Sequence, residues 1–157
     1  MASSDLIGKL ETDVEIDISP EKFHHMWCHR PHHVHHTSSE KVQGCDLHEG
    51  EIGTPGVVIC WRYVHDGKAK TAKQVVEVMD HEKKSITFKM LEGDLMEEYK
   101  SFVITIQTSP KSDGKGSIVH WTLDYEKLHE GIGHPESLLQ FFIELTADMA
   151  AHLRKET

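Results

Sequence analysis

Apolar and polar residues alternate along most of the chain between residues 57 and 125. Ile86, Phe88 and Met90 occupy every second position, and polar residues stand between them. A strand with one apolar and one polar face is typical of an antiparallel sheet that covers a core on one side. The pattern therefore predicts seven strands, at residues 6–18, 42–47, 57–65, 73–80, 85–91, 99–108 and 116–125.

Short turn sequences separate the later strands and predict a meander. Asp66 and Gly67 form a two-residue hairpin signal, and further turns are expected at 81–84, 92–94 and 110–116. The stretch 49–56 is rich in glycine, but it lacks Gly-Lys-Ser/Thr and precedes a strand rather than a helix. We therefore interpret it as a connection between two strands and not as a phosphate-binding loop.

Two short helices are expected directly after the first strand. Ser19 is a suitable N-cap, and Pro20 is suited to the first position of a helix. One face of this helix carries Phe23, Met26 and Trp27. Pro31 interrupts the helix, and a second short one follows it.

A long amphipathic helix is predicted from about residue 135 to residue 155. Leu138, Phe142, Leu145 and Met149 recur at spacings of four, three and four, which is the helical period. The sheet and this helix each need a partner for their apolar face. The chain is thus expected to form one α+β domain over residues 1–157, in which a seven-stranded curved antiparallel sheet wraps around the long C-terminal helix.

Composition and charge narrow the classes of partner. Lys and Arg total 17 against 26 Asp and Glu, a net charge of -9 that repels nucleic-acid backbones. Three cysteines without CxxC spacing argue against a disulfide scaffold and favour a reducing compartment. Neither a secretory signal at residues 1–9 nor a membrane-spanning run is recognisable. We expect a cytoplasmic monomer that neither binds nucleic acid nor inserts stably into a membrane.

Four segments resemble the plant Bet v I superfamily, named for the birch pollen allergen, and above all its major latex protein-like branch. They are GTPG at 53–56, WRYVHDGKAK at 61–70, LEGDLMEEYKS at 91–101 and WTLDYEKL at 121–128. The resemblance implies a helix-grip fold, a large internal cavity for hydrophobic ligands, and a role in plant defence and stress responses. The loop at 50–56 departs from the compact glycine-rich loop of the allergen-type relatives, so no function is carried over for it.

The apolar faces have two interpretations. Periodicity reports which face is apolar but not whether the enclosed space is filled, so a packed core explains them as well as a cavity does. With the resemblance, we predict a site for a small hydrophobic metabolite, such as a sterol, lipid or phenolic compound. The expected ligand-binding residues are Phe23, Trp27, Ile59, Trp61, Tyr63, Phe88, Met90, Phe102, Ile104, Val119, Trp121, Phe142, Leu145 and Met149. The expected polar anchors are Tyr63, Tyr99 and Ser101.

Signals for catalysis are weak, and no Gly-x-Ser-x-Gly elbow is present. Some relatives have been credited with ribonuclease activity, and others condense amines with aldehydes. Glu98 matches one ribonuclease residue, whereas Thr146 and Asp148 stand at the other two positions, and no lysine matches that of the condensing enzymes. We therefore expect a binding protein without catalytic residues. The alternative is a weak ribonuclease or condensing enzyme that uses Glu98 with Tyr99.

A histidine cluster is the most unusual local feature of the chain. Its seven members within 13 residues are His24, His25, His29, His32, His33, His35 and His36. Spacings of i,i+4 can place two imidazoles on one helix face, and Cys28 is near, but no CxxC or HExxH motif accompanies them. We interpret the cluster as a polar surface and expect no metal or cofactor. A metal-binding or partner-docking module is the alternative.

Overall fold

The computed structural model describes residues 6–155, and a single antiparallel sheet of seven strands runs through them. The strands are β1 (Ile7–Ile16), β2 (Val42–Glu49), β3 (Val58–His65), β4 (Lys68–Asp80), β5 (Ser85–Gly93), β6 (Tyr99–Pro110) and β7 (Ser117–Lys127). Strands β2 to β7 form a meander, and β1 pairs with β7 to give the order β1-β7-β6-β5-β4-β3-β2. The predicted seven-stranded antiparallel sheet is confirmed.

The predicted helices are confirmed as well. They are α1 (Pro20–His29), α2 (Val34–Thr37) and α3 (Glu136–Lys155), and a 3-10 turn at Pro31–His33 separates the first two. The Ser19 side chain accepts a hydrogen bond from the backbone N–H of Lys22 at 3.3 Å, which is the N-cap that the sequence predicts. Pro31 begins the 3-10 turn just after α1 ends, because its ring is incompatible with a continuing helix.

The apolar faces of the strands and of α3 enclose one core. Ile86, Phe88 and Met90 are at most 4% exposed, as their alternation predicts. On α3 the buried face differs slightly from the prediction, because Phe141 is 8% exposed whereas Phe142 is only half-buried. The helix is therefore turned so that both phenylalanines contact the sheet side chains.

Strand β4 begins five residues earlier than the alternation predicts. Residues 68–72 carry no large apolar side chain, so they show no apolar face in the sequence. Asp66 and Gly67, with φ values of 54° and 74°, make a two-residue turn that pairs the strands at once. Backbone pairing with β3 therefore extends β4 back to Lys68, with Val64 opposite Ala69.

On the outer face of the sheet, His120 of β7 lies between two carboxylates of β1. Its Nε2 lies 3.0 Å from Glu11 Oε1, and its Nδ1 forms a short contact with Asp13, the residue directly opposite in the strand register. The hydrogen bond to Asp13, helped by that to Glu11, raises the pKa of His120 above its usual value of 6.5. The contacts of His120 with Asp13 and Glu11 therefore stabilise the folded state most when the imidazole is protonated.

His120→Gln is expected to make stability less dependent on pH. A raised pKa adds stability that is fully present below the unfolded-state pKa and is lost as pH rises through the folded-state pKa. The free energy of unfolding of the wild-type protein should therefore exceed that of the variant most at about pH 5.5. The difference should shrink towards about pH 8.5. Urea denaturation of both proteins across this range measures it. A difference that grew with pH would contradict the assignment.

Candidate functional site

An apolar cavity of about 60 Å³ lies inside the sheet, beneath α1 and α3. Side chains from strands and helices share its wall, so the cavity depends on the whole fold. The wall consists of Trp27, Val42, Trp61, Tyr63, Ala72, Gln74, Phe88, Met90, Leu95, Ile104, Ile106, Trp121, Leu138, Phe141, Phe142 and Leu145. Gln74 is its one amide, and charged side chains are absent from this wall.

Nine of the fourteen residues predicted for the ligand site line this cavity. They are Trp27, Trp61, Tyr63, Phe88, Met90, Ile104, Trp121, Phe142 and Leu145. The other five are buried in the core without lining it: Phe23, Ile59, Phe102, Val119 and Met149. Ligand binding by any of them stays a prediction.

Seven lining residues were not predicted. Two of them had a usable signal, since Ile106 continues the alternation of β6 and Leu138 continues the helical period of α3. Gln74 had none, because a polar residue in a strand is ordinarily placed on the solvent side. Leu95 lies in the 3-10 turn Asp94–Glu97, where periodicity carries no information. The remaining three are Val42, Ala72 and Phe141.

Aromatic side chains fill most of the interior. The Trp27 ring lies 5.8 to 6.0 Å from those of Trp61, Phe88 and Trp121, and Phe142 stacks on Trp121 at 4.5 Å with an interplanar angle of 9°. The remaining 60 Å³ has room for about four water molecules. Sites for small organic ligands usually measure about 300–1,000 Å³. The large cavity implied by the resemblance is therefore not present in this structure, because these rings occupy the space.

Two polar atoms at the cavity wall are buried without a partner. Within residues 6–155, Trp27 Nε1 and the Tyr63 hydroxyl form no hydrogen bond, although the two side chains are 5% and 7% exposed. The other two lining indoles are satisfied at 2.9 Å, Trp61 by Gln74 Oε1 and Trp121 by Thr146 Oγ1. An unmade hydrogen bond of this kind costs about 1–3 kcal/mol, so the pair points to a missing partner.

The expected polar anchors separate into one that lines the cavity and two that do not. Tyr63 lines it, and burial raises the pKa of its hydroxyl to about 12, so the group stays protonated and can donate. Tyr99 instead donates to the backbone carbonyl of Gly133 at 2.9 Å. Ser101 is half-buried on β6 and lies outside the cavity wall.

The residues of the enzyme alternative have other contacts. Glu98 is exposed, and its neighbour Tyr99 is held by a backbone carbonyl. Thr146 accepts a hydrogen bond from Trp121 and donates to the carbonyl of Phe142 at 2.7 Å. Asp148 accepts from Ser38 and Lys41. Thr146 and Asp148 thus have structural partners.

Among the described helices, none is long and apolar enough to cross a membrane.

Comparison with known proteins identifies the family. Residues 5–156 match the profile of the pathogenesis-related protein Bet v 1 family. MLP-like protein 28 and MLP-like protein 43, both from Arabidopsis thaliana, are 56% and 53% identical to this chain, each over 98% of it. The match covers 98% of protein 43 but 46% of protein 28, so the chain spans about half the length of the latter.

A solved structure supports the same assignment. The crystal structure of ginseng major latex-like protein 151 from Panax ginseng matches this chain with a TM-score of 0.90 and 43% sequence identity. The match covers 94% of this chain and 97% of the ginseng chain. The chain therefore belongs to the pathogenesis-related protein Bet v 1 family, in its major latex protein-like branch.

Proposed function

We propose that this chain binds one small hydrophobic molecule, bearing at least one oxygen-containing group, in the cavity between the sheet and α3. The observation that carries the proposal is an apolar cavity whose wall holds two unpartnered polar atoms, Trp27 Nε1 and the Tyr63 hydroxyl. The proposed role is to sequester the molecule, not to transform it. Because some relatives are about twice as long, this role concerns the present chain alone.

Affinity would come mainly from the transfer of apolar ligand surface out of water, at about 25 cal/mol per Å² before the costs of association. The polar atoms add selectivity. Trp27 Nε1 can only donate, whereas the Tyr63 hydroxyl can donate or accept. A carbonyl, carboxylate or hydroxyl oxygen can accept a hydrogen bond from either atom, and a plain hydrocarbon can accept from neither. Sterols, lipids and phenolic compounds all carry such an oxygen.

The cavity must expand to admit a molecule of that size. The strands β2 to β7 are held to their neighbours by backbone hydrogen bonds, so they resist displacement. Leu138, Phe141 and Phe142 enter the wall from α3, and Leu95 enters from a 3-10 turn, so these side chains can move without breaking a strand pair. We infer that the ligand enters between Leu95 and Leu138, which both line the cavity, and that it displaces the two phenylalanine rings.

Filling the cavity should prevent binding. Ala72 lies in the wall and is 5% exposed, so Ala72→Leu places three additional carbon atoms in the space that the ligand needs. Titration with a fluorescent long-chain fatty acid should give an affinity at least about tenfold weaker, or 1.4 kcal/mol. Ala147→Leu is the matched control, because Ala147 is exposed on α3. Equal affinity in the two variants would place the binding site elsewhere.

Tyr63→Phe should separate the polar contribution from packing. Removing an unpartnered buried hydroxyl should leave the free protein equally stable, or more stable by up to about 1 kcal/mol. The same change should weaken binding of an oxygen-bearing ligand such as a flavonol. Urea denaturation and calorimetric titration measure the two effects. Loss of stability without loss of affinity would mean that the hydroxyl serves the fold.

The enzyme alternative is tested on the same preparation. Turnover of RNA or of an amine–aldehyde pair that disappears in Glu98→Gln would replace the binding proposal, because Glu98 is exposed and outside the cavity wall. The defence role, the cytoplasmic location and the monomeric state stay predictions.

A further inference from the structure

The histidine cluster does not form one continuous helical face. Pro31 interrupts the helix, so His29 lies on α1 whereas His33 lies in the 3-10 turn that follows. His25 and His29, four residues apart on α1, have neighbouring rings with centroids 4.9 Å apart. A stronger grouping combines one histidine of the cluster with residues outside it.

His24, Cys28 and His81 bring three metal-binding atoms together, all within 4.8 Å of one another. His24 and Cys28 lie one turn apart on α1 and are 5% and 1% exposed. His81 is exposed in the turn between β4 and β5. Asp80 stabilises this turn. Its carboxylate accepts hydrogen bonds from the backbone N–H groups of Glu82 and Lys83 at 3.1 and 3.0 Å.

The separations are close to those of a tetrahedral metal site. Zinc bonds of about 2.0–2.1 Å to nitrogen and about 2.3 Å to sulfur place two nitrogens about 3.3 Å apart and a nitrogen and sulfur about 3.6 Å apart. Here His24 Nε2 lies 3.0 Å from His81 Nδ1 and 3.3 Å from Cys28 Sγ. An ion could therefore be accommodated if these two pairs separated by about 0.3 Å. The third pair, Cys28 and His81, lies within 4.8 Å.

We propose that His24, Cys28 and His81 bind a transition-metal ion such as Zn²⁺ or Cu⁺, with a fourth position open to water. Two imidazoles and one thiolate form a donor set that these ions prefer over Mg²⁺ or Ca²⁺. His29 borders the site, since its ring stacks on that of His81 at 5.6 Å. The site is separate from the ligand cavity and does not depend on the proposed function.

The buried Cys28 thiol must lose its proton when the metal ion binds. Burial, followed by the neighbouring His81, lowers the pKa of His24 to about 4, so its imidazole is neutral and has a lone pair to offer. Burial raises the pKa of the Cys28 thiol to about 12. On binding, the metal ion replaces the thiol proton, which passes to the buffer, and a metal–sulfur bond forms. The charges of Lys84 and Asp80 also act on His24 and have opposite effects on its pKa: Lys84 lowers it and Asp80 raises it.

Metal binding would tie α1 to the β4–β5 turn. Cys28 directly follows Trp27, which lines the cavity, so the ion would fix the helix that carries this indole. The expected consequence is a higher melting temperature in the presence of Zn²⁺, because the ion binds the folded chain.

Titration of the reduced full-length protein with Co²⁺ tests the site directly. A thiolate ligand gives a sulfur-to-cobalt charge-transfer absorption in the near ultraviolet, which histidine-only binding does not. The wild-type protein should show this absorption saturating at one Co²⁺ per chain. Cys28→Ser should abolish it, and His81→Gln should weaken Co²⁺ binding at least about tenfold. His81 is exposed, so this variant should remain folded.

Controls separate the site from the rest of the cluster and from the other thiols. His32→Gln and His36→Gln replace exposed members of the cluster, and Cys45→Ser removes a different cysteine, so all three should retain the absorption. Binding of Co²⁺ by the wild-type protein without the absorption would show adventitious histidine binding and overturn the proposal. An absorption equally strong in His81→Gln would overturn it as well.

Discussion

Trp121→Ala is expected to lower the free energy of unfolding by about 3–5 kcal/mol, the range for removing a large aromatic side chain from a core. Trp121 is 1% exposed and stacks on Phe142, so its loss removes both buried area and a ring contact. Its indole also donates to Thr146 at 2.9 Å, and that hydroxyl would lose a partner. Urea denaturation curves of the two proteins, fitted with the same m value, give the difference in the free energy of unfolding directly.

Two additional measurements show whether the loss arises from the cavity. Phe142→Ala should be less destabilising than Trp121→Ala, because Phe142 is only half-buried. Free indole should raise the melting temperature of Trp121→Ala but not that of the wild-type protein, because an apolar void can bind a matching ring. A Trp121→Ala protein as stable as the wild type would mean that this wall of the core is not closely packed.

Gly116→Ala is expected to lower the free energy of unfolding by about 3 kcal/mol or more, although it adds only one methyl group. Gly116 adopts a φ of +95°, and an added Cβ would lie 2.2 Å from the carbonyl oxygen of Ile16 and 2.9 Å from Cα of Asp17. Both are backbone atoms, so the clash is relieved only if β1 and β7 separate. Thermal and urea denaturation measure the effect.

Gly114→Ala is the matched control in the same turn. Gly114 also has a positive φ, +74°, but an added Cβ there has no neighbouring atom within 4 Å. Only backbone strain remains, so the loss should be about 1–2 kcal/mol. If both variants lost the same stability, the close approach of β1 to the turn would not be the cause.

The strands were predictable because one side of the sheet meets the core and the other meets water. The alternation of Ile86, Phe88 and Met90 follows directly from that arrangement. The start of β4 was not predictable, because residues 68–72 are held by pairing with β3 and not by burial of large side chains. The pairing instead begins at the turn of Asp66 and Gly67, which the sequence does mark.

The candidate site was predictable only in part. Alternation identified inward-facing residues such as Trp61 and Trp121, but the same pattern is produced by a filled core and by a hollow one. How much space remains depends on the rotamers of the rings, which periodicity does not report. His81 illustrates a second limit, because it reaches His24 through the tertiary fold across 57 residues of sequence.

Nuclear magnetic resonance titration of methyl-labelled protein tests most directly whether the interior admits a ligand. Oleic acid, a plant sterol and a flavonol are added separately while the isoleucine and leucine methyl groups are observed. At least one of them should cause saturable one-to-one shifts at Ile104, Ile106, Leu138 and Leu145, which line the cavity. Shifts limited to the exposed Ile7, Leu47 and Leu128, or no shifts with any of the three compounds, would contradict binding in the cavity.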